Sequence, residues 1–435
     1  MKILFVHQNF PGQFVHLAPA LAADAGNEVV ALSMQKKPPS LWNGVKVFPY
    51  QVARGTSADI HPWLADSEPK VIRGEAAMRA ALQLREQGFV PDVIIAHPGW
   101  GESLFLKTVW PKAKLGIYAE FFYHASGADV GFDPEFSSDS IEQACKIHLK
   151  NINNLLHIEL ADAAISPTHW QASTFPSAFR ERISVIHDGI NTDMIAPNPG
   201  IALTLGDGLT LTRDDEVITF VNRNLEPYRG YHIFMRALPQ ILAQRPNARV
   251  LIVGGDDVSY GAKSASGKSW KEIFLSEVST QLPESAMQRI HFLGNIPYQH
   301  FIPLLQLSRV HVYLTYPFVL SWSLLEAMSA GCAIVASNTQ PLREAIRQNE
   351  TGRLVDFFDA AALTQEVCDL LDQPEERQRL GENARRFACE FYDLQKVCLP
   401  AQLEWVQSLA EDTKFNIQNE ISTESVVNTV VIELK

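Results

Sequence analysis

The chain has 435 residues, of which 46% are hydrophobic and 20% are charged, a balance that is ordinary for a water-soluble globular protein of two or three domains. A disordered chain and a fibre are therefore excluded. The formal net charge of −12 makes the chain a poor general binder of nucleic acid, so any phosphate that it binds must be held by a local site.

The cysteines and the N-terminal residues indicate the cellular compartment in which the protein is expected. The five cysteines are scattered and form no C-x-x-C pair, which argues against a disulfide framework and a structural zinc site; they are Cys145, Cys332, Cys368, Cys389 and Cys398. The apolar run at the N-terminus ends before His7, which is too short for a signal peptide, and no window approaches 18 uninterrupted apolar residues. We expect a cytoplasmic protein that does not span a membrane.

In the first half of the chain, apolar runs rich in β-branched residues alternate with helical patterns, which is typical of a parallel sheet built from βα units. The predicted strands are Ile3–Val6, Glu28–Leu32, Lys46–Pro49, Val93–Ala96, Leu115–Ala119, Ala163–Ser166 and Ile183–Ile186. Helical patterns lie between them at His16–Ala25 and Gly74–Gln87, and Gly88 ends the second of these.

A second series of elements follows the stretch Pro197–Asp215, which is rich in Pro, Gly and Asp. The predicted strands are Val217–Asn222, Arg249–Val253, Ile290–Leu293, Val310–Leu314 and Ala333–Ser337. The predicted helices are His232–Gln244, Phe301–Leu305, Ser323–Ala330, Leu342–Arg347, Arg377–Phe391 and Leu399–Ala410. We predict an α/β protein with doubly wound domains at residues 1–200 and 201–395, and a segment 396–435 whose helix crosses back to the first domain.

Ligands of open α/β sheets bind beyond the carboxyl ends of the strands, so two such domains facing each other predict a cleft lined by loops from both. Gly12 lies between the first strand and the first helix, where a glycine lets backbone N–H groups approach a phosphate or a sugar closely. A Pro-Gly turn that is needed only for chain geometry explains the same residues.

Two arginines bracket a proline-containing loop at the start of the second domain. Arg223 ends a buried strand and Arg229 precedes a helix, so both guanidinium groups can converge on one site. Such a pair would hold a diphosphate through charge-assisted hydrogen bonds worth roughly 1.5–3 kcal/mol each. The alternative is a pair of solvated surface arginines.

A third candidate lies in the segment Tyr316–Gly331, where a helix is predicted from Ser323 with Glu326 one turn inside it. The helix N-terminus offers N–H groups to a phosphate, and the carboxylate can accept hydrogen bonds from vicinal hydroxyls such as those of a ribose. A capping box that joins Ser323 to Glu326 fits the same spacing.

Six motifs, in their order and spacing, resemble the family-four retaining glycosyltransferases of the GT-B fold over nearly the whole chain to about Ala410. The motifs are the glycine loop at Gly12, Val185–Asp193, the pair Arg223 and Arg229, Leu251–Gly255, Leu325–Gly331 and Gly352–Val355. The resemblance implies two Rossmann-like doubly wound domains that face a central cleft.

The resemblance implies an NDP-sugar donor, UDP- or GDP-linked, and no other cofactor. Arg223 and Arg229 would grip the diphosphate, with an arginine at 229 in place of the usual lysine, and Glu326 matches the acid that binds ribose hydroxyls. The family's other acid, which contacts the donor sugar, is replaced by Phe318. The full expected nucleotide-binding set is Gly12, Arg223, Arg229, Gly294, Leu320, Ser321, Trp322 and Glu326, with Ser321 at the position of a family glycine.

Three polar residues are candidates for orienting the donor sugar. Glu120 stands where many relatives have a histidine near the reacting carbon, His124 lies in the same loop, and His97 follows the preceding strand. Each is alternatively a structural polar residue. Nearby aromatic residues either line an acceptor pocket or fill the core; they are Trp100, Phe121, Phe122 and Tyr123. The resemblance implies retention by front-face attack, in which the leaving diphosphate oxygen takes the acceptor's proton.

Two further patterns are less specific. Residues 262–269 approach a Walker A loop, but Ala262 stands at the position of the first glycine, so a mobile basic loop is the favoured interpretation. The thirteen histidines show no paired metal-ligand spacing, and no metal dependence is expected.

The sequence therefore predicts a metal-independent retaining glycosyltransferase. Its acceptor would be a glycan, a lipid-linked glycan or a small molecule, with peripheral membrane association allowed and no nucleic-acid partner. Two alternatives stay open: a sugar-nucleotide epimerase or hydrolase of the same shape, and a non-catalytic nucleotide-sugar-binding protein, which the missing acid at Phe318 suggests.

Overall fold

A computed structural model of the chain describes residues 1–137, 140–206 and 208–411. The strands are β1 (Lys2–Val6), β2 (Glu28–Ser33), β3 (Leu41–Trp42), β4 (Val45–Pro49), β5 (Val93–Ala96), β6 (Lys114–Tyr118), β7 (Ala163–Ser166), β8 (Ile183–Val185), β9 (Ala202–Thr204), β10 (Thr210–Thr212), β11 (Val217–Asn224), β12 (Arg249–Gly255), β13 (Ile290–Gly294), β14 (Val310–Tyr313), β15 (Ala333–Ser337) and β16 (Arg353–Val355).

The α-helices are α1 (Leu17–Ala23), α2 (Glu68–Glu86), α3 (Leu106–Val109), α4 (Ile141–Lys150), α5 (Ile152–Leu160), α6 (His169–Thr174), α7 (Ser177–Arg180), α8 (Tyr231–Gln244), α9 (Trp270–Ser279), α10 (Glu284–Met287), α11 (Tyr298–Leu307), α12 (Trp322–Ser329), α13 (Gln340–Arg343), α14 (Ala360–Asp372), α15 (Pro374–Phe391) and α16 (Leu399–Ala410). The part of the predicted C-terminal segment that follows residue 411 lies outside the described residues.

Eight strands form the first sheet in the order β3-β4-β2-β1-β5-β6-β7-β8, and all neighbours are parallel except β3 and β4. This sheet with its helices is called the N-terminal lobe. The strand order reverses between β1 and β5, where Val6 pairs with Ala96. Such a reversal opens a crevice at the carboxyl ends of the two strands.

Six parallel strands form a second sheet in the order β13-β12-β11-β14-β15-β16, and this sheet with its helices is called the C-terminal lobe. Its order reverses between β11 and β14. The central strands are buried on both faces: the side chains of Ile218, Phe220, Leu251 and Val312 are almost fully excluded from solvent. The predicted α/β class with parallel sheets is confirmed.

The twelve strands predicted from apolar runs all occur, with ends that differ by at most two residues. The stretch Pro197–Asp215 contains a hairpin as well, because β9 pairs antiparallel with β10 and Leu211 packs into the core of the C-terminal lobe. Helix α2 begins six residues before the predicted start, since Pro69 is accommodated in its first turn. Helix α13 ends at Arg343, four residues before its predicted end.

Helix α16 lies on the N-terminal lobe, whereas α15 packs against α12 and β15 of the C-terminal lobe. Trp405 of α16 is fully buried against β6, at a point where a side chain on Gly116 would come within 2.6 Å of its ring. The segment that leads to α16 runs beside the one that leaves β8: Ile190 N donates to Tyr392 O at 2.8 Å, and Leu394 N donates to Ile190 O at 2.9 Å.

Within residues 1–137, 140–206 and 208–411, no helix combines the length and the apolar character needed to cross a membrane. All five cysteines are free thiols, and three of them are buried.

Candidate active site between the lobes

A cavity of about 540 Å³ lies at the carboxyl ends of β11 and β12, beside the N-terminus of α12. We call it the first cavity. Five of the residues predicted from the sequence line it, namely Arg223, Arg229, Ser321, Trp322 and Glu326. Its wall also contains side chains that sequence reasoning missed, among them Asn224, Tyr260, Asn295 and Tyr298.

Arg229 is the buried cation of the first cavity, with only 5% of its surface exposed. Its Nη1 donates to Thr315 Oγ1 at 2.7 Å and to the carbonyl oxygen of Val319 at 3.3 Å, and its guanidinium lies 4.9 Å from the ring centroid of Tyr260. All of these partners are neutral. Within the described part of the chain, no carboxylate forms an ion pair with Arg229, so its charge is available to an anion in the cavity.

The backbone explains how Arg229 reaches this position. Residues Pro227–Arg229 form a single 3-10 turn, and Gly230 follows with φ +69°. A Cβ atom on Gly230 would lie 2.3 Å from Leu314 Cβ, so only glycine lets α8 start this close to the end of β14. Arg223, at the end of β11, is exposed. The pair therefore shares one cavity, and the alternative of two solvated arginines fails for Arg229.

Glu326 lies on the same wall, with 7% of its surface exposed. Burial raises the pKa of its carboxyl to about 7, opposed by the hydrogen bond that Tyr298 Oη donates to Glu326 Oε1 at 2.5 Å. The N-cap of α12 is Ser321, whose Oγ accepts from Ser323 N. The capping box between Ser323 and Glu326 is therefore not formed, and the Glu326 carboxylate faces the cavity instead of capping the helix.

A second carboxylate fixes the loop that follows β12. Glu226 is fully buried and accepts hydrogen bonds from the backbone N–H groups of Ser259 and Gly261 at 3.0 and 2.9 Å. This brings Tyr260 against Arg229. The Walker-like residues end in Ser269, which caps α9 in a reciprocal capping box with Glu272, so this helix terminus is occupied by the protein's own carboxylate.

A second cavity of about 440 Å³ lies at the carboxyl ends of β5 and β6 in the N-terminal lobe. His97, Glu120, Trp100, Phe121 and Tyr123 line this second cavity. Ser259 of the C-terminal lobe also lines it, while the next residue, Tyr260, lines the first cavity. The two cavities therefore adjoin across the cleft.

Glu120 and His97 come together in the second cavity. Gly99 N donates to His97 Nδ1 at 3.2 Å, and the other ring nitrogen, Nε2, lies 3.5 Å from Glu120 Oε2. The Glu120 side chain is 40% exposed. Partial desolvation raises the pKa of its carboxyl, but the neighbouring His97 and then His7 more than offset this and lower the pKa below the ordinary value.

Four of the predicted residues lie outside the linings of both cavities. His124 is exposed, and its Nε2 is 2.7 Å from the carbonyl oxygen of Thr174. Gly12 packs under the ring of His7, where a Cβ atom would come within 2.2 Å of it. Gly294 ends β13 next to the lining residue Asn295, and Leu320 is buried in the core.

Phe318 belongs to an aromatic cluster that joins the lobes. Its ring centroid lies 4.7 Å from that of Phe121 in the N-terminal lobe and 5.3 Å from those of Tyr228 and Tyr260. Its carbonyl oxygen accepts a hydrogen bond of 2.9 Å from Trp170 Nε1, again across the cleft. The position at which the family resemblance expects an acid is thus buried in an apolar contact.

One group of side chains has the composition of a metal site: ligand atoms of Asp133, Glu135 and His232 lie within 4.8 Å of one another. Each carboxylate already has a partner, since Tyr316 Oη donates to Asp133 at 2.7 Å and Arg236 forms an ion pair with Glu135. The group lies outside the linings of both cavities. Its contacts link the loop after β6 to the C-terminal lobe.

Solved structures share the arrangement of two facing sheets. Sucrose-phosphate synthase from Thermosynechococcus elongatus has a TM-score of 0.66 at 19% identity, covering 94% of this chain and 100% of that one. Anabaena HepE, solved in complex with UDP and glucose, has a TM-score of 0.63 at 15% identity, with 94% and 100% covered. The fold is the GT-B fold of glycosyltransferases.

Sequence comparison defines the family. The model described as "Glycosyl transferase family 4 group" matches residues 25–195, and the model "Glycosyl transferases group 1" matches residues 208–387. The two matches follow one another along the chain, which belongs to the group 1 glycosyltransferases.

Curated relatives match over a shorter stretch. A D-inositol 3-phosphate glycosyltransferase of Corynebacterium efficiens is 28% identical over 214 residues, 48% of each chain. A phosphatidyl-myo-inositol mannosyltransferase of Mycolicibacterium smegmatis is 27% identical over 175 residues, 40% of each chain. The chain spans about half the length, or less, of these relatives.

Proposed function

We propose that the chain transfers a sugar from an NDP-sugar, UDP- or GDP-linked, to an acceptor bound in the second cavity. One observation carries this proposal: Arg229 is a buried guanidinium with neutral partners only, in a cavity that it shares with Arg223 and Glu326. A desolvated cation of this kind is stabilised by an anionic ligand. The diphosphate of the donor would bind to both arginines, and Glu326 would accept hydrogen bonds from the ribose hydroxyls.

The proposed reaction needs no side-chain nucleophile. The bond between the sugar's anomeric carbon and the diphosphate oxygen breaks with its electron pair on that oxygen. The acceptor hydroxyl oxygen then bonds to the same face of the carbon, and its proton passes to the departing diphosphate, so the configuration is retained. Arg223 and Arg229 stabilise negative charge that is larger in the transition state than in the ground state.

We propose further that these two cations make a metal ion and a resident cofactor unnecessary. Glu120 and His97 face the adjoining cavity, where they would orient the sugar and stabilise positive charge at its reacting carbon. Contacts between the lobes exclude water and so disfavour hydrolysis of the donor. The acceptor is a carbohydrate, a lipid-linked glycan or a small molecule.

The test is a panel of UDP- and GDP-sugars, each scored for thermal stabilisation of the full chain and then for transfer in the presence of EDTA. A ligand at 100 times its dissociation constant stabilises the folded state by about 2.7 kcal/mol. Stabilisation by one donor, with EDTA-resistant transfer and retained configuration, is the expected result. Release of free sugar without any acceptor would indicate a hydrolase. Binding without turnover would indicate the non-catalytic function that the buried Phe318 favours.

A further inference from the structure

Lys150, the last residue of α4, lines the second cavity with an ammonium group that has no carboxylate partner in the described part of the chain. Its Nζ lies 3.6 Å from the ring centroid of Tyr123. Across the described residues it forms neither a hydrogen bond nor an ion pair. Burial lowers the pKa of this ammonium, while the more distant Asp66 and Asp129 oppose the change. A half-buried cation in this state is stabilised when an anion enters the cavity.

Two further cations of α2, Lys70 and Arg73, line the same cavity. The carboxylates there are already engaged: Asp66 accepts from Lys70 Nζ at 2.6 Å, and Glu120 faces His97. Arg73 donates to the carbonyl oxygen of Pro69 at 3.0 Å and comes no closer than 4.0 Å to Glu102. With Lys150, Lys70 and Arg73 against Asp66 and Glu120, the cations of the lining outnumber its carboxylates by one.

A neutral acceptor atom completes the wall. Asn153 Nδ2 donates to the carbonyl oxygen of Pro98 at 2.7 Å, which fixes the orientation of the amide. Its Oδ1 atom is buried and has no hydrogen-bond partner in the described chain, although the side chain lines the cavity. An unpaired buried carbonyl oxygen is satisfied by a donor such as a ligand hydroxyl.

We infer that the second cavity selects a polyhydroxyl acceptor that bears an anionic group, an inference that rests on the proposed function. Lys150 is the principal partner of the anion, and Asn153 Oδ1 is the partner of a hydroxyl. A phosphate ester has this chemistry, whether it is a soluble sugar phosphate or the head group of a lipid. Arg73 adds positive charge from the opposite element, α2, whereas the charge of Lys70 is paired with that of Asp66.

The test is calorimetric titration of the full chain with glucose 6-phosphate, myo-inositol 1-phosphate and their unphosphorylated parents, with and without UDP or GDP. A parallel arm measures sedimentation with phosphatidylcholine vesicles that contain phosphatidylinositol. Lys150→Gln is expected to weaken binding of the phosphorylated probes roughly 10- to 100-fold, because one charge-assisted contact is lost. Binding of the parents stays unchanged, and Lys150→Arg retains most of the affinity.

Lys146→Gln is the matched control, since Lys146 is exposed on the same helix and lies outside the cavity lining. Lys150→Met is expected to leave the melting temperature unchanged or raised, whereas a purely structural lysine would lower it. The titrations are repeated with Lys150 variants that also carry Arg229→Gln, a substitution expected to remove phosphate binding at the first cavity. Dependence on Lys150 in the soluble arm or in the vesicle arm identifies the source of the anion.

The inference is overturned if no phosphorylated probe and no anionic vesicle binds in a manner that depends on Lys150. Failure of the proposed glycosyl transfer has a different signature, because no NDP-sugar would then bind at Arg229 and the anion titration would still give a result.

Discussion

Trp322 Nε1 donates a hydrogen bond of 2.7 Å to Oδ2 of Asp188, and Tyr118 Oη donates to the same oxygen at 3.0 Å. Trp322 starts α12 and lines the first cavity, whereas Asp188 follows β8 of the first sheet. The carboxyl group is buried. Burial raises its pKa to about 7, against the two hydrogen bonds that lower it. The pKa of an acid in the N-terminal lobe therefore depends on a hydrogen bond from α12, the helix that lines the first cavity.

Asp188 predicts a pH dependence of stability. Between its unfolded value of 3.8 and its folded value of about 7, the folded state keeps a proton that the unfolded state has lost, so unfolding free energy falls as pH rises through this window. Asp188→Asn keeps an oxygen acceptor and does not titrate. We expect the wild type to lose stability relative to this variant by at most about 4 kcal/mol between the two pH limits, measured by urea unfolding. Parallel curves for the two proteins would contradict the prediction.

We expect substitution of Arg229 to lower the turnover rate more than the stability of the fold. Arg229→Gln removes a cation whose partners are neutral, so no buried charge is left unpaired, and turnover should fall by about 10²- to 10³-fold. Arg223→Ala should also lower turnover strongly, and Arg229→Lys should recover part of the loss because it keeps the charge. Steady-state rates with the cognate donor are the measurement.

The control for the arginine variants is Arg79→Ala, since Arg79 is 70% exposed on α2 and, among the described residues, pairs with Glu75 alone. Turnover of both Arg223→Ala and Arg229→Gln at the wild-type rate would remove the diphosphate clamp from the proposal.

Glu326 predicts a pH dependence of nucleotide binding. The pKa of its carboxyl is about 7, and the ionised form is the better acceptor for ribose hydroxyls, so affinity should fall as pH drops below that value. The loss approaches about tenfold per pH unit if only the carboxylate binds. Glu326→Gln should bind more weakly at pH 8 and should keep only the slope due to the terminal phosphate of the NDP, whose second pKa is about 6. Calorimetry with the NDP between pH 5.5 and 8.5 measures this, and a variant profile as steep as that of the wild type would assign the titration to another group.

Because Phe318 is buried among aromatic rings, we expect that an acid is not tolerated at this position. Phe318→Glu places a carboxyl among the rings of Phe121, Tyr228 and Tyr260, where burial without a partner costs about 1–3 kcal/mol or more. The melting temperature should fall and transfer should not increase. Phe318→Leu, which stays apolar, should lose less stability. A stable and more active Phe318→Glu variant would show that the site still accepts the family's acid.

Sequence patterns predicted those strands and helices whose buried residues form a recognisable apolar pattern. The central strands are apolar on both faces and were predicted, whereas β3, β9 and β10, which have only two or three residues, were not. Helix α4 has no fully buried residue. Each of these elements depends on contacts that are remote in the chain.

The site shows the same division. Arg223, Arg229 and Glu326 follow strand ends and helix starts, which are positions that a sequence reveals. Tyr260 and Lys150 line the cavities only because a loop tied to Glu226 and the end of α4 reach the cleft, and no local signal marks either residue. His124 follows β6 as predicted, yet its bond to Thr174 turns it away from the cavity that Glu120 lines.

The pairing of Ile190 with Tyr392 and Leu394 has a mechanical consequence. The chain passes between the lobes twice, and the two passages run side by side, bonded to each other. We expect these adjacent connections to act as one hinge, which lets the lobes swing apart at the far edge but resists shear along the cleft. A single hinge would restrict opening to one arc, so the same walls of the two cavities would meet again each time the lobes close.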